Sequence, residues 1–130
     1  MLTNSPLRPT IPVVHLNRAE RFYETIWGLK PAPDNNDDTT SDTAIFECGN
    51  NILIELHQCG SSTADHTVAT FEISNIEDDV STLRGKGVNF EGYDMLEIKT
   101  QNGIARQGSV KAAWFKDSEG NILCIHQTVK

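Results

Sequence analysis

The sequence lacks long apolar runs, and it has few basic residues for its length. No stretch approaches the roughly 18 apolar residues of a transmembrane helix, and the first ten residues have no apolar core of the secretory type. We therefore expect no membrane partner and a cytoplasmic location. Acidic residues outnumber basic ones, 18 to 11, for a formal net charge of −7. Because such a surface repels phosphate backbones, we expect no nucleic-acid partner.

Cysteine is also scarce. The three cysteines, Cys48, Cys59 and Cys124, are an odd number without the spacing of a disulfide framework. Cys48 and Cys59 are able to pair in principle, but reduced thiols are the better interpretation. The 130 residues are 38% apolar and 22% charged, a composition typical of globular proteins. That length and composition indicate one domain with its own hydrophobic core.

Two segments of the chain resemble each other. Thr43–Gln58 and Lys111–Gln127 each contain two apolar runs separated by a short turn rich in Gly, Asn or Asp. Both end in the same dipeptide, His57-Gln58 in the first and His126-Gln127 in the second. Apolar runs joined in this way predict β-hairpins, and a hairpin that occurs twice indicates an internal repeat. The alternative is that the two hairpins are alike by coincidence.

The elements before each hairpin also match in order. In the first half, Thr10–Val14 reads as a strand, and Asn17 with Glu20 forms a capping box for a helix that Gly28 ends. Segment 59–65 is rich in small and polar residues and reads as a linker. The second half begins with a strand at His66–Ile73, and a capping box at Ser74–Glu77 then starts a helix that Gly85 and Gly87 close. A short strand at Val88–Phe90 and a possible extra hairpin around Ile98–Ile104 follow.

The expected fold class is therefore α+β. Two βαβββ modules, at about 9–58 and about 66–127, form a single domain over residues 1–130. Neither half buries both a sheet face and a helix stripe well by itself, so we expect the halves to pack together or with a second copy.

Polar side chains alternate with apolar ones along three predicted strands. Since successive side chains of a strand point to opposite faces, each strand has one apolar face and one mixed face. The mixed faces carry Glu55, His57, Thr70, Glu72, Cys124 and His126. Polar groups in the middle of strands predict the lining of a concave ligand site. The alternative is that these faces are simply exposed to solvent, as in many antiparallel sheets.

Two motifs in opposite halves carry a family resemblance. The run from Asn17 to Tyr23, followed by Trp27-Gly28-Leu29, resembles the helix signature of the vicinal oxygen chelate superfamily. The run Trp114–Asn121 resembles its hairpin turn, with Ser118 where proline is commoner. This superfamily includes glyoxalase I, bleomycin-resistance proteins and extradiol dioxygenases. The resemblance implies two βαβββ modules whose sheets curl into a cup, and it covers nearly the whole chain; its nearest subgroup is bacterial and has no assigned reaction.

Metal-dependent members of the superfamily use four His or Glu ligands. The resemblance places those positions at Arg8, Glu55, Val68 and Cys124, of which Arg8 and Val68 are unable to ligate a metal. We therefore expect no catalytic metal and no other cofactor. A shifted register, with a divalent metal held by Glu55, His66 and His126, is the alternative.

Without a metal, the resemblance implies a protein that sequesters a small molecule and is a homodimer. Glu55, His57, Thr70, Tyr93, Trp114, Cys124 and His126 are the predicted ligand-binding residues. Aromatic residues and the acids Glu55 and Glu72 suit a planar or cationic ligand. Two enzymatic alternatives stay open: a metal-dependent lyase or dioxygenase, and a metal-free enzyme. In the latter, Glu55 is the candidate base with His57 or His126 as acid, or Cys124 is a nucleophile beside His126.

Overall fold

The computed structural model describes residues 2–32, 42–60, 65–92 and 100–128, and the side chains of all of these except Leu2, Thr100 and Gln101. Internal contacts divide the chain into two compact units, residues 1–63 and 64–130, which we call the first and second modules. The division falls inside segment 59–65. Among the described residues, no helix combines the length and apolar character needed to cross a bilayer.

The first module contains a four-stranded mixed sheet. Its strands are β1 (Thr10–Val13), β2 (Lys30–Pro31), β3 (Thr43–Glu47) and β4 (Leu53–Gln58), in the order β1-β4-β3-β2. Strand β1 lies at an edge and runs parallel to β4, whereas the other pairs are antiparallel. An edge position suits Pro12, because proline has no N–H to donate to a second neighbour. Helix α1 (Leu16–Arg21) continues into a π-helical segment, Phe22–Ile26.

The second module repeats this arrangement with one added strand. Its strands are β5 (Thr67–Glu72), β6 (Thr100–Gln101), β7 (Ile104–Gln107), β8 (Val110–Lys116) and β9 (Ile122–Thr128), in the order β5-β9-β8-β7-β6. Strand β5 runs parallel to β9, and every other pair is antiparallel. Helix α2 (Ile76–Gly85) lies between β5 and β6 in the chain.

The two sheets confirm the predicted fold class, since each module places its first strand parallel to its last one. The prediction of a strand at Val88–Phe90 is wrong. Phe90 makes a single bridge to Phe115, and the following pair of strands, β6 and β7, begins only at Thr100. The hairpin expected around Ile98–Ile104 therefore exists, but its turn is at Asn102-Gly103, where both residues have positive φ. Residues 93–99 are outside the described part of the chain.

One face of each sheet is buried against the helix of its own module. In the first module, α1 contacts β3 and β4, and Tyr23 of the adjoining π-helical turn packs with its ring 6.4 Å from that of Phe46. In the second, α2 contacts β8 and β9, whose residues Phe115 and Leu123 are fully buried. Each helix thus packs on the apolar face of its sheet, and the mixed faces that carry Glu55, Thr70 and His126 lie on the other side.

The helix N-termini are capped differently from the prediction. Asn17 is not the N-cap of α1: the helix begins at Leu16 after His15, whose side chain makes no capping hydrogen bond. Helix α2 is capped by Asn75, one residue later than the predicted box at Ser74, and Asn75 Oδ1 accepts from the Asp78 N–H at 3.2 Å.

A glutamine from the last strand of each module completes these helix ends. Gln58 Oε1 accepts a hydrogen bond from the Leu16 N–H at 2.9 Å, and Gln127 Oε1 accepts from the Ile76 N–H at 2.8 Å. The first helical N–H groups have no partner within a helix, so an acceptor brought in by the fold satisfies them. This shared contact explains the glutamine at the end of both hairpins, and it connects each helix to its sheet.

Replacing either glutamine should loosen its helix. We expect Gln58→Ala and Gln127→Ala each to lower the free energy of unfolding by about 1 kcal/mol, as the loss of a capping acceptor does elsewhere. Gln127→Glu is the matched control, because it keeps an acceptor and places a negative charge at a helix N-terminus. Urea unfolding checks this; an alanine variant as stable as the glutamate variant would contradict the capping role.

Candidate functional site

The second module contains a pocket of about 350 Å³ on the sheet face opposite α2. Its walls come from strands β5, β7, β8 and β9, and most of its lining is apolar. The lining residues are Thr67, Thr70, Ala105, Arg106, Gln107, Val110, Ala112, Trp114, Cys124 and His126. A pocket of this size, with a few polar groups among apolar ones, is typical of small-molecule sites.

Strand register explains why four of the predicted ligand residues meet here. Cys124 lies directly opposite Thr70 on β5 and Trp114 on β8, so these three side chains form one row across the sheet. His126 lies two residues further along β9, which returns it to the same face. The structure therefore brings Thr70, Trp114, Cys124 and His126 together in one pocket of the second module.

His126 is held by a carboxylate beside the pocket. Its Nδ1–H donates to Glu72 Oε2 at 2.6 Å, and the two residues are paired in register between β9 and β5. This hydrogen bond, together with weaker hydrogen bonds from Thr128, holds the pKa of Glu72 below its usual range. An ionised carboxylate only accepts hydrogen bonds, so Nδ1 carries the proton and Nε2 is the acceptor nitrogen of the neutral ring.

Cys124 is buried at the back of the pocket. Burial raises the pKa of its thiol, while its hydrogen bonds with Thr70 and the Ala113 backbone act in the opposite direction. The thiol form is therefore favoured near neutral pH, which weighs against Cys124 as a nucleophile or a thiolate ligand. The residue instead gives the pocket lining a small, polarisable surface next to Trp114.

The remaining predicted site residues are not part of this pocket. Glu55 and His57 lie half-buried on the same face of β4 in the first module, where Glu55 Oε1 is 3.5 Å from Arg8 Nε. His66 is exposed just before β5 and does not line the pocket. Tyr93 lies outside the described residues.

The side chains at the four implied metal positions do not suit a divalent cation. In the first module, the Arg8 guanidinium pairs with Glu55, so a positive charge stands where a ligand is needed. In the second, Val68 has no donor atom, and the Cys124 thiol favours its protonated form. Within either module, the described residues form no cluster of three metal-ligating side chains. The alternative set of Glu55, His66 and His126 draws on both modules and stays a prediction.

The β6–β7 hairpin, whose strand β7 forms one pocket wall, is hydrogen-bonded to α2 through its turn. Arg84 Nη2 donates to the Asn102 carbonyl at 2.6 Å, and its guanidinium lies 5.6 Å from the centre of the Phe90 ring. Gly103 fits beneath this contact only because it has no side chain. An added Cβ would lie 2.8 Å from Arg84 Nη2 and 3.0 Å from Phe90 Cβ, at a φ of +83°.

The crowding at Gly103 gives a testable expectation. Gly103→Ala should lower the free energy of unfolding by about 1–2 kcal/mol, of which about 1 kcal/mol comes from the positive φ and the rest from crowding against Phe90 and from a weakened contact between Arg84 and Asn102. Gly87→Ala is the control, because Gly87 has a φ of +93° but open space around its Cβ position. Equal losses for the two variants in urea unfolding would show that the contact with Arg84 contributes nothing.

Sequence reasoning missed the pocket residues on β7, chiefly Ala105 and Gln107, because that strand falls in the long connection whose pattern was weakest. The Asn102-Gly103 dipeptide, a strong hairpin turn, was the usable signal there. Arg106 also lines the pocket, but it pairs in register with Lys111 and is attracted to Glu77, both on the α2 side of the sheet. We therefore assign no ligand contact to its guanidinium.

Comparison with known proteins places this fold. No protein-family model matches the sequence, and no curated protein matches it. Solved structures do match. A glyoxalase/dioxygenase from Nostoc punctiforme has 14% identity and a TM-score of 0.72, over 98% of this chain and 92% of that one. A lactoylglutathione lyase from Agrobacterium tumefaciens has 13% identity and a TM-score of 0.69, over 95% and 93%.

A third similar structure is the fosfomycin resistance protein FosX from Listeria monocytogenes in complex with Mn(II) and sulfate. It has 15% identity and a TM-score of 0.71, over 99% of this chain and 93% of that one. At such identities the likeness concerns the fold. The strand order of both modules, the motifs of both halves and these structures agree: the chain has the fold of the vicinal oxygen chelate superfamily.

Proposed function

We propose that this chain binds a small aromatic molecule in the pocket of its second module without a catalytic metal. The observation that carries the proposal is the single row formed by Thr70, Cys124 and Trp114, with His126 beside it, around a space of about 350 Å³. Trp114 offers a flat apolar surface, and Thr70 and His126 offer the few polar contacts that fix an orientation. The proposal includes a cytoplasmic homodimer with neither nucleic-acid nor membrane partners.

The side chains at the implied metal positions support the metal-free part of this proposal. In the first module the Glu55 carboxylate is already paired with the Arg8 guanidinium, and in the second module the Cys124 thiol favours its protonated form. Binding of a small molecule in the second module requires neither the Arg8–Glu55 ion pair to break nor the Cys124 thiol to lose its proton. We therefore place the ligand on the side chains of the second module alone.

A metal-dependent lyase or dioxygenase is the second candidate, and one observation favours it. FosX from Listeria monocytogenes, which shares this fold, was solved with Mn(II). In this chain such a site needs a ligand set other than the one that the family positions imply. Glu55, His66 and His126 are the available set.

A titration separates the two candidates. Trp27→Phe leaves Trp114 as the only tryptophan, and para-iodoanisole serves as a neutral aromatic probe whose iodine quenches indole fluorescence on contact. We expect saturable quenching in the presence of EDTA, unchanged when Zn²⁺, Ni²⁺, Mn²⁺ or Fe²⁺ replaces the chelator. Quenching that appears only with one of these metals, together with that metal in stoichiometric amount in the purified protein, would overturn the metal-free proposal in favour of the second candidate.

A further inference from the structure

We infer that the pocket selects an uncharged aromatic ligand that carries a hydroxyl, and that His126 accepts the hydrogen bond of this hydroxyl. The inference rests on the proposed function, because it names the ligand class for the same pocket. Of the planar or cationic ligand expected from the sequence, it keeps the planar character and drops the positive charge, and three features of the lining support it.

The first feature is the charge of the pocket walls. Apart from Arg106 and His126, the lining residues have side chains without formal charge. By strand register Arg106 lies on the α2 side of the sheet with Lys111, where the hydrogen bond from Lys111 and, more weakly, the charge of Arg106 lower the pKa of Glu77. A charged ligand would lose its hydration in this pocket without gaining an ion-pair partner, which is costly.

The second feature is that the nearby carboxylates are already engaged. Glu72 accepts from His126 and from Thr128, whereas Glu77 pairs with Lys111. Glu55, the other acid expected to attract a cation, pairs with Arg8 in the first module. None of the three lines the pocket, so the described lining offers no carboxylate to a bound cation.

The third feature is the state of the His126 ring. Because Nδ1 donates its proton to Glu72, Nε2 is the ring nitrogen left to accept a hydrogen bond when His126 carries a single ring proton. The ring lines the pocket and keeps 29% of its side-chain surface exposed. A ligand hydroxyl is the matching donor. Glu72 is then a positioning residue, since it fixes which nitrogen of His126 accepts without touching the ligand.

Four probes of one shape test the inference: para-iodophenol, para-iodoanisole, para-iodobenzoate and para-iodobenzylammonium. Affinities are measured by calorimetry at neutral pH in EDTA. We expect the phenol to bind about tenfold more tightly than the anisole, as one added hydrogen bond in a partly enclosed site allows. Both charged probes should bind more weakly than the anisole. If either charged probe binds most tightly, the inference is wrong.

Variants locate the effect at the Glu72–His126 pair. His126→Phe keeps a flat ring without an acceptor, so the phenol and the anisole should bind equally well, at the affinity of the anisole for the original protein. Glu72→Ala should reduce the preference for phenol to about threefold and leave anisole binding unchanged. A merely structural role for Glu72 would instead weaken both probes alike, and this result, or a phenol preference that survives His126→Phe, would overturn the inference.

The same measurements distinguish two kinds of failure. If the anisole binds and the phenol binds no better, the hydroxyl preference is wrong while the proposed pocket stands. If no probe binds, both the inference and the proposed function fall.

Discussion

Trp114→Ala is expected to weaken the binding of para-iodoanisole by about 30-fold. Trp114 lies opposite Cys124 in the central row of the pocket, and it is the aromatic side chain that the described residues contribute to the lining besides His126. Removing a buried aromatic anchor from the centre of a site commonly costs 2 kcal/mol or more, roughly the stated factor. The side chain is half-buried, so the fold should survive its loss. Calorimetry with para-iodoanisole measures the change.

Two controls accompany this variant. Trp114→Phe keeps an aromatic surface and should weaken binding by about fivefold or less. Trp27→Phe changes the other tryptophan, which follows the π-helical turn of the first module, and should leave the affinity unchanged. Unaltered binding by Trp114→Ala, or an equal loss of affinity with Trp27→Phe, would contradict the assignment of the binding site to the pocket of the second module.

Asp117→Ala should lower the free energy of unfolding by about 2–4 kcal/mol. Asp117 begins the turn between β8 and β9 and is only 6% exposed. Its Oδ1 accepts from the backbone N–H groups of Glu119 and Asn121 at 2.8 and 2.9 Å, and its Oδ2 accepts from Asn121 Nδ2 at 2.9 Å. Alanine would remove the acceptor of all three of these hydrogen bonds, and hydrogen bonds to charged groups are the stronger ones.

Milder substitutions at the turn give the comparison. Asp117→Asn keeps an oxygen for the two backbone donors but turns an amide NH₂ toward Asn121 Nδ2, so we expect about half the loss. Ser118→Ala removes only the partly exposed hydrogen bond with Glu119 and should change stability by less than about 0.5 kcal/mol. Urea unfolding of the three variants ranks them. An Asp117→Ala protein within 0.5 kcal/mol of the original, a margin typical of surface changes, would contradict this account of the turn.

The strand pattern made much of the fold and part of the site predictable. Alternation has a period of two, so it placed Thr70, Cys124 and His126 on one face as soon as β5 and β9 were identified. The repeated His-Gln dipeptide likewise marked the two hairpins correctly. Its physical role was not predictable, because Gln58 and Gln127 accept from helix residues 42 and 51 positions away along the chain.

Other misses have the same origin in contacts between distant parts of the chain. Asn17 and Glu20 look like a local capping box, but the acceptor supplied by Gln58 lets α1 begin at Leu16 instead. The ion pair between Arg8 and Glu55 was also hidden, since Arg8 stands in a segment without any strand or helix pattern. The bounds of β7 were missed, although a hairpin was expected around Ile98–Ile104, because four residues with little alternation do not define a strand by themselves.

The most direct test of the central claim is a map of amide and indole N–H shifts during titration with para-iodoanisole in EDTA, recorded by two-dimensional nitrogen–proton NMR. The account predicts that the largest shifts fall on Thr70, Cys124, His126 and the Trp114 indole, in the second module. Shifts confined to residues 1–63, or shifts that appear only after a divalent metal is added, would contradict it.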